Sequence, residues 1–215
     1  MKKYGILFDL DGTLLDTLGD LTDAVNHVLA QHDMHTWTVA DIRRFVGNGA
    51  RRLIELAVDG QGDVDAILSE YKTYYDAHCR IKTAPYPHIR EVLELLSKNY
   101  ALAVVSNKPD AATKSLCADI FPGIPARGEA PDCARKPAPD MLFKTKEMLG
   151  VDDFIYVGDS DVDVITAKNA GVPCLSVLWG FRDRAEIEAA GGRYFCEDAR
   201  EMPAMIEKIL GDRNG

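Results

Sequence analysis

No apolar run in the 215-residue chain approaches the ~20 residues that span a bilayer as a helix, and Asp9 breaks the first apolar stretch too early for a secretory signal core. Paired cysteines are also missing. Cys79, Cys117, Cys133, Cys174 and Cys196 are scattered singly, without a CxxC motif or the density of a disulfide-built small domain. Free thiols in a reducing compartment follow, and the expected location is cytoplasmic. Basic residues are outnumbered, 25 to 34, and the net charge of −9 argues against broad binding to nucleic acid or to anionic membrane. An anionic substrate would therefore need local positive charge. Neither internal repeats nor low-complexity segments are present. What remains, 47% apolar and 27% charged residues, is the balance of an ordinary globular protein with a real hydrophobic interior.

Short runs rich in Val, Ile and Leu recur along the chain: YGILFD at 4–9, ALAVVS at 101–106, FIYVGD at 154–159 and PCLSVL at 173–178. Each ends in polar residues or glycine, and amphipathic segments lie between them. That alternation predicts a doubly wound, Rossmann-like α/β core with a parallel sheet and helices on both faces. Between about 18 and 81 the alternation stops. Leu18, Leu21, Val25, Val28 and Leu29 fall at helical spacing, Thr38 is suited to cap a second helix, and two further helices are expected over Arg52–Val58 and from Val64 to about Cys79. The expected organisation is a core of 1–16 and 82–215 with an all-helical insertion over 17–81. Later helices are expected at about 88–98, from Pro109, at 138–149, 160–170 and 183–190, and at the end, with a short strand near 193–196. The stretch 120–135 carries no readable period.

The first strand poses a chemical question, because Asp9 and Asp11 stand where an apolar strand ends. In an open α/β sheet, ligands bind outside the carboxyl ends of the strands, and Asp9, Ser106 and Asp159 all stand at such ends. Clustered carboxylates repel and are costly to bury unless a cation neutralises them. Magnesium suits such a place, since it takes hard oxygen ligands, one or two carboxylates and a substrate phosphate. Asp9 and Asp159 fit that role, with Asp163 in GDSDVD as a supporter. A calcium loop is excluded, because its pattern fails at Thr13 after Asp9 and at Val164 and Ala170 after Asp159. Asp9 and Asp11 lie two apart on an extended strand and share a face. One can attack phosphorus while the other moves protons. Ser106 and Asn107, ahead of the helix expected from Pro109, would grip the phosphate, and Lys136 would supply the missing positive charge.

Four stretches, DLDGT at 9–13, SNKP at 106–109, KPAPD at 136–140 and GDSDVD at 158–163, together resemble the haloacid dehalogenase superfamily of phosphotransferases, in the family's order and over nearly the whole chain. The resemblance implies an aspartyl-phosphate at Asp9, an acid/base at Asp11, a phosphoryl grip from Ser106, Asn107 and Lys136, and a Mg2+ set drawn from Asp9, Asp11, Asp159 and Asp163. The helical insertion is similar to the family's C1 cap. DTLGDLTDAVN at 16–26 and RRFVGNGARRL at 43–53 resemble the phosphoglycolate phosphatase branch, which puts Gly47, Asn48 and Gly49 on a cap loop facing the substrate. The expected activity is hydrolysis of a small phosphorylated metabolite, by a monomer or a homodimer.

Rival readings stay open at this point. A phosphomutase would return the phosphoryl group to sugar, although the mutase branch carries a cap His where this chain has DTLGDL. A dehalogenase does not need Asp11. A receiver-like module could also display an acidic pocket with a Ser and a Lys. Trp179, Gly180 and Phe181 either border the pocket or anchor the core, and His32 and His35 read as surface residues rather than a metal pair.

Overall fold

Residues 3–214 are described in the computed structural model. Six parallel strands form one sheet: β1 (Tyr4–Phe8), β4 (Ala101–Pro109), β5 (Ala126–Glu129), β6 (Asp153–Gly158), β7 (Cys174–Val177) and β8 (Tyr194–Cys196). Their spatial order is β5-β4-β1-β6-β7-β8. The chain thus runs outward from β1 in one direction, then restarts beside β1 and runs outward in the other. The switch falls between β1 and β6, which are in register from Tyr4 with Asp153 to Phe8 with Val157. A crevice opens at the carboxyl end of such a pair.

β1 is apolar on both faces because both are covered. Ile6 and Phe8 join one buried cluster and Leu7 the other, so alternate side chains enter opposite layers. Helices α5 (Ile89–Ser97), α6 (Asp110–Ile120), α7 (Asp140–Leu149), α8 (Asp161–Ala170), α9 (Arg184–Ala190) and α10 (Met202–Asn214) complete the layers. Among the described residues no helix is long and apolar enough to cross a membrane.

Four helices follow one another without an intervening strand: α1 (Leu18–Gln31), α2 (Val39–Phe45), α3 (Gly49–Ala57) and α4 (Val64–His78). The expected stripe of α1 is buried at Leu21, Val25, Val28 and Leu29. Thr38 caps α2 in a reciprocal box with Asp41. The chain leaves and re-enters the core through two short antiparallel strands, β2 (Leu15–Asp16) and β3 (Ala84–Pro85). Asp20 ties these crossings together, since its buried carboxylate accepts the backbone N–H groups of Ile81, Lys82 and Thr83 at 2.9–3.1 Å.

Three differences from the sequence reading bear on the site. β4 continues past Ser106 to Pro109, so 106–108 belong to a strand rather than to the approach of a helix. α3 begins at Gly49, ahead of the expected Arg52. The unreadable 120–135 stretch holds β5, a short edge strand of sequence ARGE in which only Gly128 is buried, so it carries no apolar alternation to detect.

Candidate active site

Asp9 follows β1 and Asp159 follows β6, the two strands at the switch. Asp163 lies one turn into α8, and the three carboxylates each offer an oxygen within 4.8 Å of the others. All three residues are buried. Lys136 Nζ stands 2.8 Å from Asp9 Oδ1 and 2.8 Å from Asp163 Oδ1. Its side chain is only 2% exposed. Burial alone would lower Lys136, but Asp163 and Asp9 more than reverse this and hold it above the ordinary lysine value.

The cluster is nonetheless short of positive charge. Burial, helped by Asp163 and Asp159, raises the Asp9 carboxyl well above its ordinary value against the pull of Lys136. Burial and the charge of Asp163 push Asp159 up to about 7, opposed by the Phe181 N–H and the Thr13 hydroxyl. The buried Asp9 Oδ1 has no donor aligned on it despite its ion-pair distance to Lys136. Asp159 accepts one bond on each oxygen, from Thr13 Oγ1 at 3.0 Å and from Phe181 N at 2.7 Å, which leaves lone pairs on both. Buried, hard oxygen donors with spare lone pairs and raised pKa values suit a divalent cation such as Mg2+.

Asp163 differs from its neighbours. Its Oδ1 accepts Lys136 Nζ and Tyr156 OH, and its Oδ2 accepts the Ser160 N–H and hydroxyl. Both oxygens thus accept bonds, which hold Lys136 in place and complete the capping box of α8 while Asp163 stays within the three-carboxylate group. Asp11, expected in the metal set, lies outside the three-carboxylate group. Its carboxylate takes two bonds from Lys108 Nζ, at 3.0 and 3.2 Å, and Lys108 also donates to Tyr75 OH of α4 at 2.8 Å.

Ser106 is buried, and its Oγ accepts the Lys108 N–H at 3.2 Å, leaving its own hydroxyl hydrogen to donate. The Asn107 side chain is spent as a brace: Nδ2 donates to Gly47 O and Lys136 O, and Oδ1 accepts Lys136 N. What Asn107 can offer an anion is backbone. Gly47 and Gly49 line the cavity beside Asp9, and both have positive φ, +120° and +80°. Asn48 precedes α3 without a side-chain capping bond. The cavity, of about 60 Å³, has Asp9, Asp11, Ser106 and Lys136 below and Leu21, Val46, Leu53 and Tyr71 of the helical segment above.

Several contributors were not singled out from the sequence. Lys108 was legible in principle: it lies two residues beyond Ser106 and so shares its face once 106–108 are taken as strand. Thr13 sits within the DLDGT motif itself. Gly12 is needed where it stands, because a Cβ there would fall 2.4 Å from Asp159 Oδ2 at a φ of +88°. Tyr75 and Tyr156 carry no local signal, since only the fold brings them to the two lysines. His32 pairs with Glu70 on the surface.

The sequence pattern of the family described as haloacid dehalogenase-like hydrolase matches residues 6–177. A phosphoglycolate phosphatase of Mesorhizobium japonicum is 37% identical over 198 residues, covering 86% of each chain. One from Agrobacterium fabrum is 33% identical, covering 95% of this chain and 93% of its own. A solved structure from Lactobacillus delbrueckii subsp. bulgaricus, provisionally assigned as a phosphoglycolate phosphatase, superposes with a TM-score of 0.88 at 35% identity, over 94% of this chain and 97% of its own. With the four motifs gathered at one sheet edge and these relatives along most of its length, the chain belongs to the haloacid dehalogenase-like hydrolase family and is a phosphoric monoester hydrolase.

Proposed function

We propose that the protein hydrolyses a small phosphate monoester of the phosphoglycolate kind, with Mg2+ bound by Asp9 and Asp159, through an aspartyl-phosphate on Asp9. The observation that carries this reading is the buried Asp9 oxygen that lies 2.8 Å from Lys136 with no aligned donor, beside Asp159. When bound, the metal would offset the negative charge that Asp9, Asp159 and the phosphoryl group bring together.

In the first half-reaction the Asp9 carboxylate attacks phosphorus, the bond from phosphorus to the ester oxygen breaks, and that oxygen leaves as an alcohol after taking a proton from Asp11. Lys108, 3.0 Å from Asp11 Oδ1, would orient the Asp11 carboxyl towards the ester oxygen. In the second, Asp11 takes a proton from water as the water oxygen attacks phosphorus, and Asp9 is released with inorganic phosphate. Lys136 and the Ser106 hydroxyl hold the phosphoryl oxygens throughout.

The helices over 17–81 serve as a cap on a core of 1–16 and 82–215, excluding bulk water and fitting the leaving group, with Gly47, Asn48 and Gly49 on the loop that meets the core. The cavity over Asp9, roofed by Leu21, Val46, Leu53 and Tyr71, would receive the leaving group. A protein with five free cysteines is suited to a reducing cytoplasm. The test is kcat/KM across a panel of phosphate monoesters with Mg2+ and with chelator, following free phosphate and isomerised product together. Highest activity on short carboxylated esters, lost on chelation, is expected. Isomerised product without phosphate release, or turnover indifferent to chelator, would overturn the reading.

A further inference from the structure

The segment Trp179–Arg182 joins three parts of the molecule. Trp179 Nε1 donates to Thr13 O at 3.0 Å, reaching the turn after Asp9. The Phe181 N–H holds Asp159 Oδ2 at 2.7 Å. Gly180 lies so close to this carboxylate that a Cβ there would fall 2.3 Å from Asp159 Cβ and 2.5 Å from Gly12 O.

From the other side, Arg43 of α2 donates through Nη2 to Gly180 O at 3.0 Å and through Nε to Phe181 O at 2.8 Å. Arg182 answers in the opposite direction. Its Nη1 reaches Arg43 O at 2.9 Å and its Nη2 reaches Val46 O at 2.7 Å. These carbonyls lie at the C-terminal end of α2, where helical backbone lacks partners and a cation is favoured. Each guanidinium therefore closes on backbone of the opposite part, and Val46 leads directly into Gly47.

The Gly180 carbonyl and the Phe181 N–H belong to one peptide plane. Arg43 grips its oxygen while Asp159 grips its hydrogen. Because the peptide is planar, loss of the first contact frees the second to rotate. A hydrogen bond on the carbonyl also polarises the N–H at the other end of the same group.

We propose that Arg43 and Arg182 form a reciprocal clamp through which closure of the helical segment positions Asp159 for the metal, so that closure and metal binding strengthen each other. The inference rests on the metal-dependent reading above. Both arginines are positioning residues, since neither touches Asp9 or the cavity floor. Linkage requires the effect to be mutual: whatever closure adds to metal affinity, metal adds to closure.

The experiment uses the full chain, with Arg43→Met, Arg182→Met and Asp159→Asn variants. Mn2+ affinity is read by electron paramagnetic resonance titration without substrate, and hydrogen exchange of the amides over 39–49 is read with and without Mg2+. Both arginine variants should bind Mn2+ at least about fivefold more weakly, the lower end of common coupling strengths. Mg2+ should slow exchange over 39–49 in the wild type and not in the variants. Arg43→Lys should recover part of the affinity, because an ammonium can still reach one of the two carbonyls. A packing role alone would lower melting temperature while leaving the Mg2+-dependent protection in place. Arg43, 40% exposed, is the substitution less disruptive to folding. Clamp variants that match the wild type in affinity and protection, while Asp159→Asn does not, overturn the clamp alone. A wild type indistinguishable from Asp159→Asn in Mn2+ binding overturns the metal reading and the clamp with it.

Discussion

Replacing Lys136 with Met removes one cation from two carboxylates. The Lys136 side chain is 2% exposed, and its ammonium stands 2.8 Å from both Asp9 and Asp163. Removing one partner of a buried ion pair costs about 3–5 kcal/mol, because the charge left behind has neither water nor a counterion. For a chain of this size each kcal/mol shifts the melting temperature by roughly 2–4 °C, so a fall of about 6–20 °C is expected. The loss should depend on pH with a defined sign. Lys136 pulls the raised Asp9 carboxyl down, so without it Asp9 holds its proton still more tightly in the native than in the unfolded state, and the deficit is small near pH 5 and grows towards pH 8. Adding Asp163→Asn to Lys136→Met should recover part of it, since one stranded charge is then gone. Thermal melts followed by circular dichroism, in chelator so that metal does not mask the charge, provide the measurement. A shift under about 2 °C, or one equal at pH 5 and pH 8, would refute the assignment of Lys136 as the buried counterion.

Three further outcomes follow from the same geometry. Asp9→Asn should lose at least ~10³-fold in turnover while melting no lower than the wild type, because it deletes the nucleophile and a crowded buried charge together; retained turnover would contradict the role. In chelator, the melting temperature of Asp159→Asn minus that of the wild type should widen as pH rises through the window from 3.8 to about 7, where the unfolded carboxyl has released its proton and the native one keeps it. Stability is lost in that window with rising pH, and a difference that stays constant would oppose it. Lys108→Met should cost ~10²-fold in kcat on alkyl phosphates and far less on an aryl phosphate whose leaving group needs no proton; equal losses would show that Lys108 does not act by orienting the acid at Asp11.

Strand ends were the most legible part of the sequence. β1 and β6 announce themselves as continuous apolar runs cut off by Asp9 and Asp159, because buried parallel strands have no polar face to confuse the signal. The Lys136 placement was also readable as charge logic, since a chain of net charge −9 must import its cation to the acidic edge. β5 was not readable, because an edge strand with one buried residue has no pattern. Lys108 was obscured by reading Pro109 as a helix start, when the chain keeps β4 extended through Lys108 and begins α6 only at Asp110. Asp163, singled out by its spacing in GDSDVD, does stand with Asp9 and Asp159 in the buried carboxylate group, and what its spacing did not show is its bracing by Lys136, Tyr156 and Ser160. The Trp179–Arg182 segment conceals its role for another reason. Each of these contacts joins a side chain on one side to a backbone carbonyl on the other, more than a hundred positions away, and no local pattern encodes that.

Phosphoryl transfer to Asp9 is the step on which the account turns, and borohydride trapping tests it directly. Asp11→Asn enzyme, turning over an aryl phosphate that needs no proton on departure, should accumulate the acyl phosphate, which reduction converts to homoserine. Peptide mass spectrometry is expected to find homoserine at position 9 alone, appearing only with substrate and Mg2+. Homoserine at another carboxylate, or an unmodified Asp9 in enzyme that has released phosphate throughout the quench series, would contradict the account.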